Sequence, residues 1–279
     1  MVLLHQALPA NKTGRDFIMG DLHGCIDLLR AELARVQFNT ALDRLFSVGD
    51  LIDRGPDSMA CLRLLCEPWF YAVRGNHELM LLDYFQNAGQ PYAPQDMVKV
   101  FLNNGGRWVK RLNAAQRKEL QVQLLPRVAT LPYVITVGEG ASRFNIAHAE
   151  LLTGSLEQDH WLFRMAGWPE DTASQQILID DQLTETTLAS MTEPIAWGRR
   201  LVKKMDPAKA RKMTTPAGPL LKSAQAMRAG LSLTYVGHTP QKSMVLHQSH
   251  LYIDRGAYKR EADTRLLVLN HQDVLDWVA

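Results

Sequence analysis

Cysteine is scarce: Cys25, Cys61 and Cys66 are the only three in a chain of 279 residues. So small and odd a number excludes a disulfide framework and fits a reducing compartment. No second cysteine pair answers Cys61 and Cys66, so a thiolate zinc site is not indicated and small buried hydrophobes are expected. No apolar run reaches the roughly 18 residues that a spanning helix needs. At the N-terminus, Val2–Leu4 is interrupted at once by His5 and Gln6, and no basic or apolar leader stands out. A cytoplasmic protein with no membrane contact is the resulting expectation. Excess charge is lacking too: 31 Lys and Arg against 29 Asp and Glu give a net charge of +2. That excludes a strongly basic nucleic-acid binder, and no nucleic-acid partner is expected. No glycine loop ending in Lys-Ser/Thr occurs, so nucleotide-driven phosphoryl transfer is not indicated, and His77-Glu78 does not open a zinc-protease motif because Leu81 stands where the second histidine would be.

What the chain does contain is a set of short β-prone runs, several of which stop at polar residues. Phe17–Met19 stops at Gly20-Asp21, Leu45–Val48 at Gly49-Asp50, and Tyr71–Val73 at Arg74-Gly75-Asn76-His77. Phe144–Ala147 stops at His148, Leu233–Val236 at Gly237-His238, and Leu251–Ile253 at Asp254-Arg255-Gly256; Leu266–Leu269 is a further strand candidate. Helical periodicity lies between the early strands: Leu28, Leu29, Leu33 and Val36 share one stripe, as do Met59, Leu62, Leu65 and Cys66, and Leu81, Leu82 and Phe85. Residues 86–130 read as mostly helical, and residues 150–230 carry few strand signals. The alternation of strand and helix predicts an α/β (α+β layered) architecture with functional side chains on one rim of a sheet.

The strands deliver Asp21 and His23, then Asp50, Asp53 and Arg54, then Asn76 and His77, then His148 and His238. Carboxylates and neutral imidazoles are ligands for zinc, iron and manganese, and there are enough for two ions. Two metals about 3.5–4 Å apart form a clamp for in-line displacement at phosphorus.

Gly20-Asp21-Leu22-His23-Gly24, Gly49-Asp50-Leu51-Ile52-Asp53-Arg54-Gly55 and Arg74-Gly75-Asn76-His77-Glu78 resemble, in order and spacing, the signature blocks of the phosphoprotein phosphatase branch of calcineurin-like metallophosphoesterases. The likeness is greatest to the compact bacterial and lambda-type phage serine/threonine phosphatases. It is dense over residues 16–112 and returns at His148, at Trp197-Gly198-Arg199 and from Val236 to Leu269. The resemblance implies a β-sandwich flanked by helices and two divalent ions, Mn²⁺ first, with Fe or Zn as alternatives. It implies that Asp21 and His23 hold the first ion, that Asp50 bridges, and that Asn76, His148 and His238 hold the second. Arg54 and Arg199 would grip the phosphoryl oxygens, for which a guanidinium fork is well shaped. His77 would be the general acid, with Asp53 keeping it protonated and oriented. The implied reaction is direct attack by metal-bridging hydroxide on a phosphomonoester, with no phosphoenzyme, and the implied substrate is a phosphoprotein, phosphopeptide or small phosphoester. Trp197-Gly198-Arg199 departs from the Trp-Asn-Arg of the lambda-type enzymes, which leaves Arg200 as a competitor for the role of Arg199. Symmetrical dinucleoside tetraphosphate hydrolases share much of the pattern but read Ala-Arg-Gly-Pro where this chain has Asp53-Arg54-Gly55-Pro56. The protein phosphatase reading therefore ranks first, the tetraphosphate hydrolase second, and an inactive phosphate-binding module third.

Residues outside these motifs have plainer readings. His5, His160, His247, His250 and His271 are expected on the surface or in the core, and Tyr258 in packing or near the site. Residues 1–15 are expected to form an extension, and 16–279 one domain with a long insertion over about 150–230, between the last two ligand histidines. The small net charge hides a segregation there. From Glu150 to Gly198 nine acidic residues face one basic residue, and from Arg199 to Arg228 nine basic residues face one acidic residue. Two solvated faces would account for this. A cap beside the metal site, the basic part drawing in anionic substrate, is the functional expectation.

Overall fold

The computed structural model of the chain describes residues 3–87, 95–151, 176–178, 193, 195–228 and 231–279. Its framework is two sheets. The smaller has the order β13-β2-β3-β4, in which β2 (Asp16–Met19), β3 (Arg44–Ser47) and β4 (Phe70–Ala72) run parallel and β13 (Val268–Asn270) pairs antiparallel to β2. The larger is mixed, with nine strands ordered β7-β1-β5-β6-β10-β12-β11-β9-β8. Its members are β1 (Leu3–Leu8), β5 (Val134–Val137), β6 (Phe144–Ala147), β7 (Gln176–Leu178), β8 (Arg211–Thr215), β9 (Gly218–Lys222), β10 (Leu233–Val236), β11 (Met244–His247) and β12 (His250–Tyr252).

Successive strand residues face opposite sides of a sheet, and the buried side chains sort accordingly. Phe17, Met19 and Leu45 pack under the helices, while Ile18 and Phe46 pack against Ile135, Ile146, Tyr235 and Leu251 of the larger sheet. The helical side is built from α1 (Ile26–Arg35), α2 (Ser58–Arg63), α3 (Asn76–Asn87), α4 (Gln95–Asn103), α5 (Ala114–Glu119) and α6 (Leu125–Ala129). On the far face of the larger sheet, Val134, Ala147, Val236 and Tyr252 pack with Ile195, Ala196 and Leu201, the last from α7 (Arg200–Lys204). A final helix, α8 (His271–Val278), places Val274 in the core between the sheets.

Several sequence expectations change here. Leu3–Leu8 is no extension: it is a strand paired in parallel with β5 and antiparallel with β7. The helix expected from Glu78 begins at Asn76, so Asn76 and His77 occupy its first turn. Cys25 and Cys61 are buried as expected, but Cys66 is exposed. The basic half of the expected cap falls on two different elements. Arg199–Lys204 lies on the far face of the larger sheet, where Leu201 packs with Val236, Val245 and Tyr252, whereas Arg211 and Lys212 are exposed on its edge strand β8. Of the acidic half, only Glu150, Leu151, Gln176–Leu178, Glu193 and residues 195–198 are described; Glu157, Asp159, His160, Glu170, Asp171, Asp180, Asp181 and Glu185 lie outside the described residues. Among the described residues, no helix is long and apolar enough to cross a membrane.

Candidate metal centre

Parallel pairing brings the functional strand ends together. The in-register trio β2-β3-β4 presents Asp21, Asp50 and Asn76 at one end of the smaller sheet, and the parallel pair β6-β10 presents His148 and His238 at the facing end of the larger one. The loops carrying them are tightly wound: His23, Asp50, Asp53, Arg54 and His238 all have positive φ, between 44° and 71°. Such backbone is sparsely populated by non-glycine residues and costs roughly 1–3 kcal/mol each, held only where the surroundings over-determine it. Gly237 is needed for close approach, since a Cβ there would collide with the Asp21 carboxylate.

Two groups of donor atoms converge on Asp50. His148 Nε2 lies 3.3 Å from Asp50 Oδ1, 2.9 Å from Asn76 Oδ1 and 3.2 Å from His238 Nδ1. His238 Nδ1 is itself 2.9 Å from Asn76 Oδ1. On the other side, His23 Nε2 lies 3.6 Å from Asp50 Oδ2 and 3.9 Å from Asp21 Oδ2. His77 Nε2 lies 3.8 Å from the same Asp50 oxygen. Two clusters with metal-ligand spacing result among the described residues: His23, Asp50 and His77, and Asp50, His148 and His238.

The protonation pattern suits cations. His148 Nδ1 donates to the Val48 carbonyl at 2.7 Å and His23 Nδ1 to the Ile52 carbonyl at 2.9 Å. Each ring therefore leaves its Nε2 unprotonated on the side of Asp50, the arrangement by which backbone carbonyls fix ligand tautomers, and in His23 that nitrogen is also within reach of Arg54. His148 Nε2 then meets two oxygens, of Asn76 and Asp50, that can only accept. Burial lowers the His23 and His238 pKa values to about 3 and lowers that of His148. Burial alone would raise the Asp50 pKa, but His148, His77 and His23, with the His77 N–H, hold it below the usual carboxylate range. Neutral imidazoles around an ionised carboxylate are a donor set for divalent metals.

His77 is placed differently. Its Nδ1 donates to Asp53 Oδ2 at 2.6 Å, and its Nε2 is buried without a hydrogen-bond partner. Burial opposes protonation of His77, yet the charge of Asp50 and the bond to Asp53 raise its pKa. The second Asp53 oxygen accepts the Trp108 indole N–H at 2.6 Å. At the mouth, exposed Arg54 donates from Nη1 to His23 Nε2 at 2.8 Å, with its guanidinium 4.7 Å from the Tyr258 ring centroid. Exposed Arg199 donates from Nε to His238 Nε2 at 3.0 Å, beside Trp197. All ten site residues expected from sequence are thus brought together, Arg199 through this contact with His238.

Residues 17–177, more than half the chain, match the family described as Calcineurin-like phosphoesterase. The chain belongs to this family. Among similar proteins, serine/threonine-protein phosphatase 1 of Salmonella typhimurium strain LT2 is 39% identical over 147 residues, covering 53% of this chain and 64% of the relative. Serine/threonine-protein phosphatase 2 of Escherichia coli K12 is 36% identical over 146 residues, covering 52% and 63%. The symmetrical bis(5'-nucleosyl)-tetraphosphatase of Pseudomonas putida GB-1 is 47% identical, but over 73 residues and 25% of each chain. The matches thus span just under two thirds of the phosphatases' own length. A solved structure described as a candidate diadenosine tetraphosphatase has the same fold at a TM-score of 0.51 and 17% identity, covering 95% of this chain and 97% of that one.

Four residues that the motif reading left without a role also shape this calcineurin-like centre. Glu78 accepts from the backbone N–H groups of Asp50, Leu51 and Gly75, each at 2.9 Å, and so ties the two metal-side loops together. Burial and the charge of Asp50 push its pKa up to about 7. Trp108 holds Asp53. Asp254 is buried with one oxygen on Gly256 N–H and the other unpartnered, and its pKa is raised to about 6 by burial and Asp50. Asp21 is raised well above the usual range by burial, then by Asp254 and Asp50. Tyr258, expected in packing or near the site, contacts the His23 ring edge-on at 4.9 Å.

Proposed function

We propose that the protein is a dinuclear metal-dependent phosphoric ester hydrolase, acting as a serine/threonine protein phosphatase. The observation that carries this is Asp50, shared between two donor clusters, with the buried Nε2 of His77 facing it from a pair with Asp53. In this reading Asp21, His23 and Asp50 hold one divalent ion, and Asp50, Asn76, His148 and His238 hold the other, Mn²⁺ being the expected metal. Two such ions supply Lewis-acid charge that polarises the phosphoryl group and acidifies water. Arg54 and Arg199 receive the remaining phosphoryl oxygens from opposite sides of the mouth. Asp53 holds the His77 ring with its protonated face toward the leaving oxygen, which it protonates. A reducing, cytoplasmic setting fits three free thiols.

A second reading, hydrolysis of dinucleoside tetraphosphate, is favoured by the higher local identity to the Pseudomonas tetraphosphatase over 73 residues. Asp53, bonded to both His77 and Trp108, supports the phosphomonoesterase instead. Metal analysis with turnover of phosphoseryl and phosphothreonyl peptides against diadenosine tetraphosphate separates the two. Peptide turnover with two ions bound is the expected result. Turnover of the tetraphosphate alone establishes the second reading, and a metal-free, inactive protein ends the enzyme reading.

A further inference from the structure

Glu150 lies two residues beyond His148, and its carboxylate is buried with 1% exposure. Its bonds go to backbone. Oε2 accepts from Arg200 N–H at 2.9 Å, and Oε1 from Leu201 N–H at 2.8 Å and Val202 N–H at 3.4 Å. The Tyr252 hydroxyl adds a bond to Oε1 at 3.3 Å. These amides belong to the opening turn of α7, where N–H groups have no partner within the helix. Arg199 is the residue before that turn and caps it with no side chain of its own. Next to Glu150, Ala149 N–H donates to the Ile195 carbonyl at 2.7 Å. The pair 149–150 therefore grips the segment 195–202 on both sides of Trp197 and Arg199.

We infer that Glu150 is a positioning residue for phosphate recognition, fixing the backbone of Arg199 so that its guanidinium stands over His238 at the mouth of the site. The inference rests on the reading of Arg199 as a phosphoryl ligand. A flexible arginine must be ordered each time it binds, and that cost falls when its backbone is fixed beforehand. A carboxylate is well suited to the task because it can accept several N–H bonds at once while favouring the positive end of the peptide dipoles. The Glu150 carboxylate bonds to α7 backbone and Tyr252 and to none of the donor atoms of the metal centre, so its effect passes through Arg199.

The test measures binding of inorganic phosphate to the metal-loaded full chain, by calorimetry and as the competitive inhibition constant. Wild type is compared with Arg199→Ala, Glu150→Gln, the double variant and Tyr252→Phe. A charged hydrogen bond to an oxyanion implies about a tenfold weakening in Arg199→Ala. Glu150→Gln is expected to weaken phosphate binding by a like factor, raising KM more than it lowers kcat. The double variant should be no weaker than Arg199→Ala, and metal content should stay at the wild-type value throughout. Tyr252→Phe should shift binding in the same direction by less. Wild-type phosphate affinity in Glu150→Gln, an additive double variant, or metal loss accompanying Glu150→Gln would each overturn the inference. If Arg199→Ala itself binds phosphate normally, the reading of Arg199 and this inference fall together; if only Glu150→Gln is normal, this inference falls alone. Should Glu150→Gln fail to fold, Glu150→Asp and Tyr252→Phe decide, and unchanged affinity in both overturns it.

Discussion

Asp53 holds His77 by one oxygen and Trp108 by the other, each at 2.6 Å, so both oxygens of a fully buried carboxylate are engaged by fixed ring N–H donors. With Nδ1 committed, the imidazole of His77 has only Nε2 free to exchange a proton at the centre.

If His77 protonates the leaving oxygen, His77→Asn and Asp53→Asn should lower kcat about 10²–10⁴-fold on phosphoseryl peptide. The loss should be much smaller on p-nitrophenyl phosphate, whose leaving group needs no proton. Steady-state rates on the two substrates, with metal content held at the wild-type value, check this. Equal losses would remove His77 from the acid role.

Trp108→Phe leaves Asp53 with a buried, unsatisfied oxygen, a defect that costs roughly 1–3 kcal/mol. Denaturant unfolding should show a free energy of unfolding lower by about that amount, read as a shifted midpoint at unchanged slope. Turnover of phosphoseryl peptide should fall with it, because the Asp53 carboxylate can then rotate away from His77. A variant as stable and as active as wild type would show that the indole merely fills space.

Asp50→Asn should be the most damaging single change at the metal donors, since both clusters share this carboxylate. Elemental analysis after exhaustive chelation and reloading with Mn²⁺ should find fewer than two ions per chain, with activity lost in parallel. Asn76→Ala touches one cluster only and should retain one ion more tightly than the other. Wild-type activity in reloaded Asp50→Asn would sink the assignment.

Two histidines away from the centre predict an acid limit to stability. His5 gives its Nε2 proton to Thr136 and buries a bare Nδ1, while His250 accepts the Leu151 N–H on Nε2. Burial lowers both pKa values to about 4. The unfolded chain titrates near 6.5, so between about 6.5 and 4 it binds more protons than the folded one. Stability is therefore complete above that window and falls as pH drops through it, by roughly 2–3 kcal/mol per histidine near pH 4.5. Thermal melts of wild type and His5→Gln from pH 7.5 to 4.5 should converge toward acid; parallel curves would refute the linkage.

The convergence of Asp21, Asp50, Asn76, His148 and His238 was legible because each follows a β-prone run, and parallel strands put such ends on one rim. The first three helices were legible from their apolar stripes. Other features leave weaker marks. The β8–β9 hairpin carries Arg211 and Lys212 on an exposed edge and opens its second strand with Gly218-Pro219, so neither strand shows the usual alternation. The helix α3 starts before its apolar pattern does because Asn76 and His77 serve the site and not the core. Glu78 and Glu150 act on backbone N–H groups, which any residue type supplies, and Trp108 meets Asp53 across 55 positions of sequence. No spacing rule reveals such partners.

The donors around Asp50 are drawn from residue 21 to residue 238 and from both sheets. They converge only when the two sheets are stacked in register, so an unfolded chain offers no comparable site. A ligand that binds only the folded form prolongs that form in proportion to its concentration. Divalent-ion supply would then govern how long each copy survives proteolysis as well as how fast it works, and scarcity of the ion would lower abundance and turnover together.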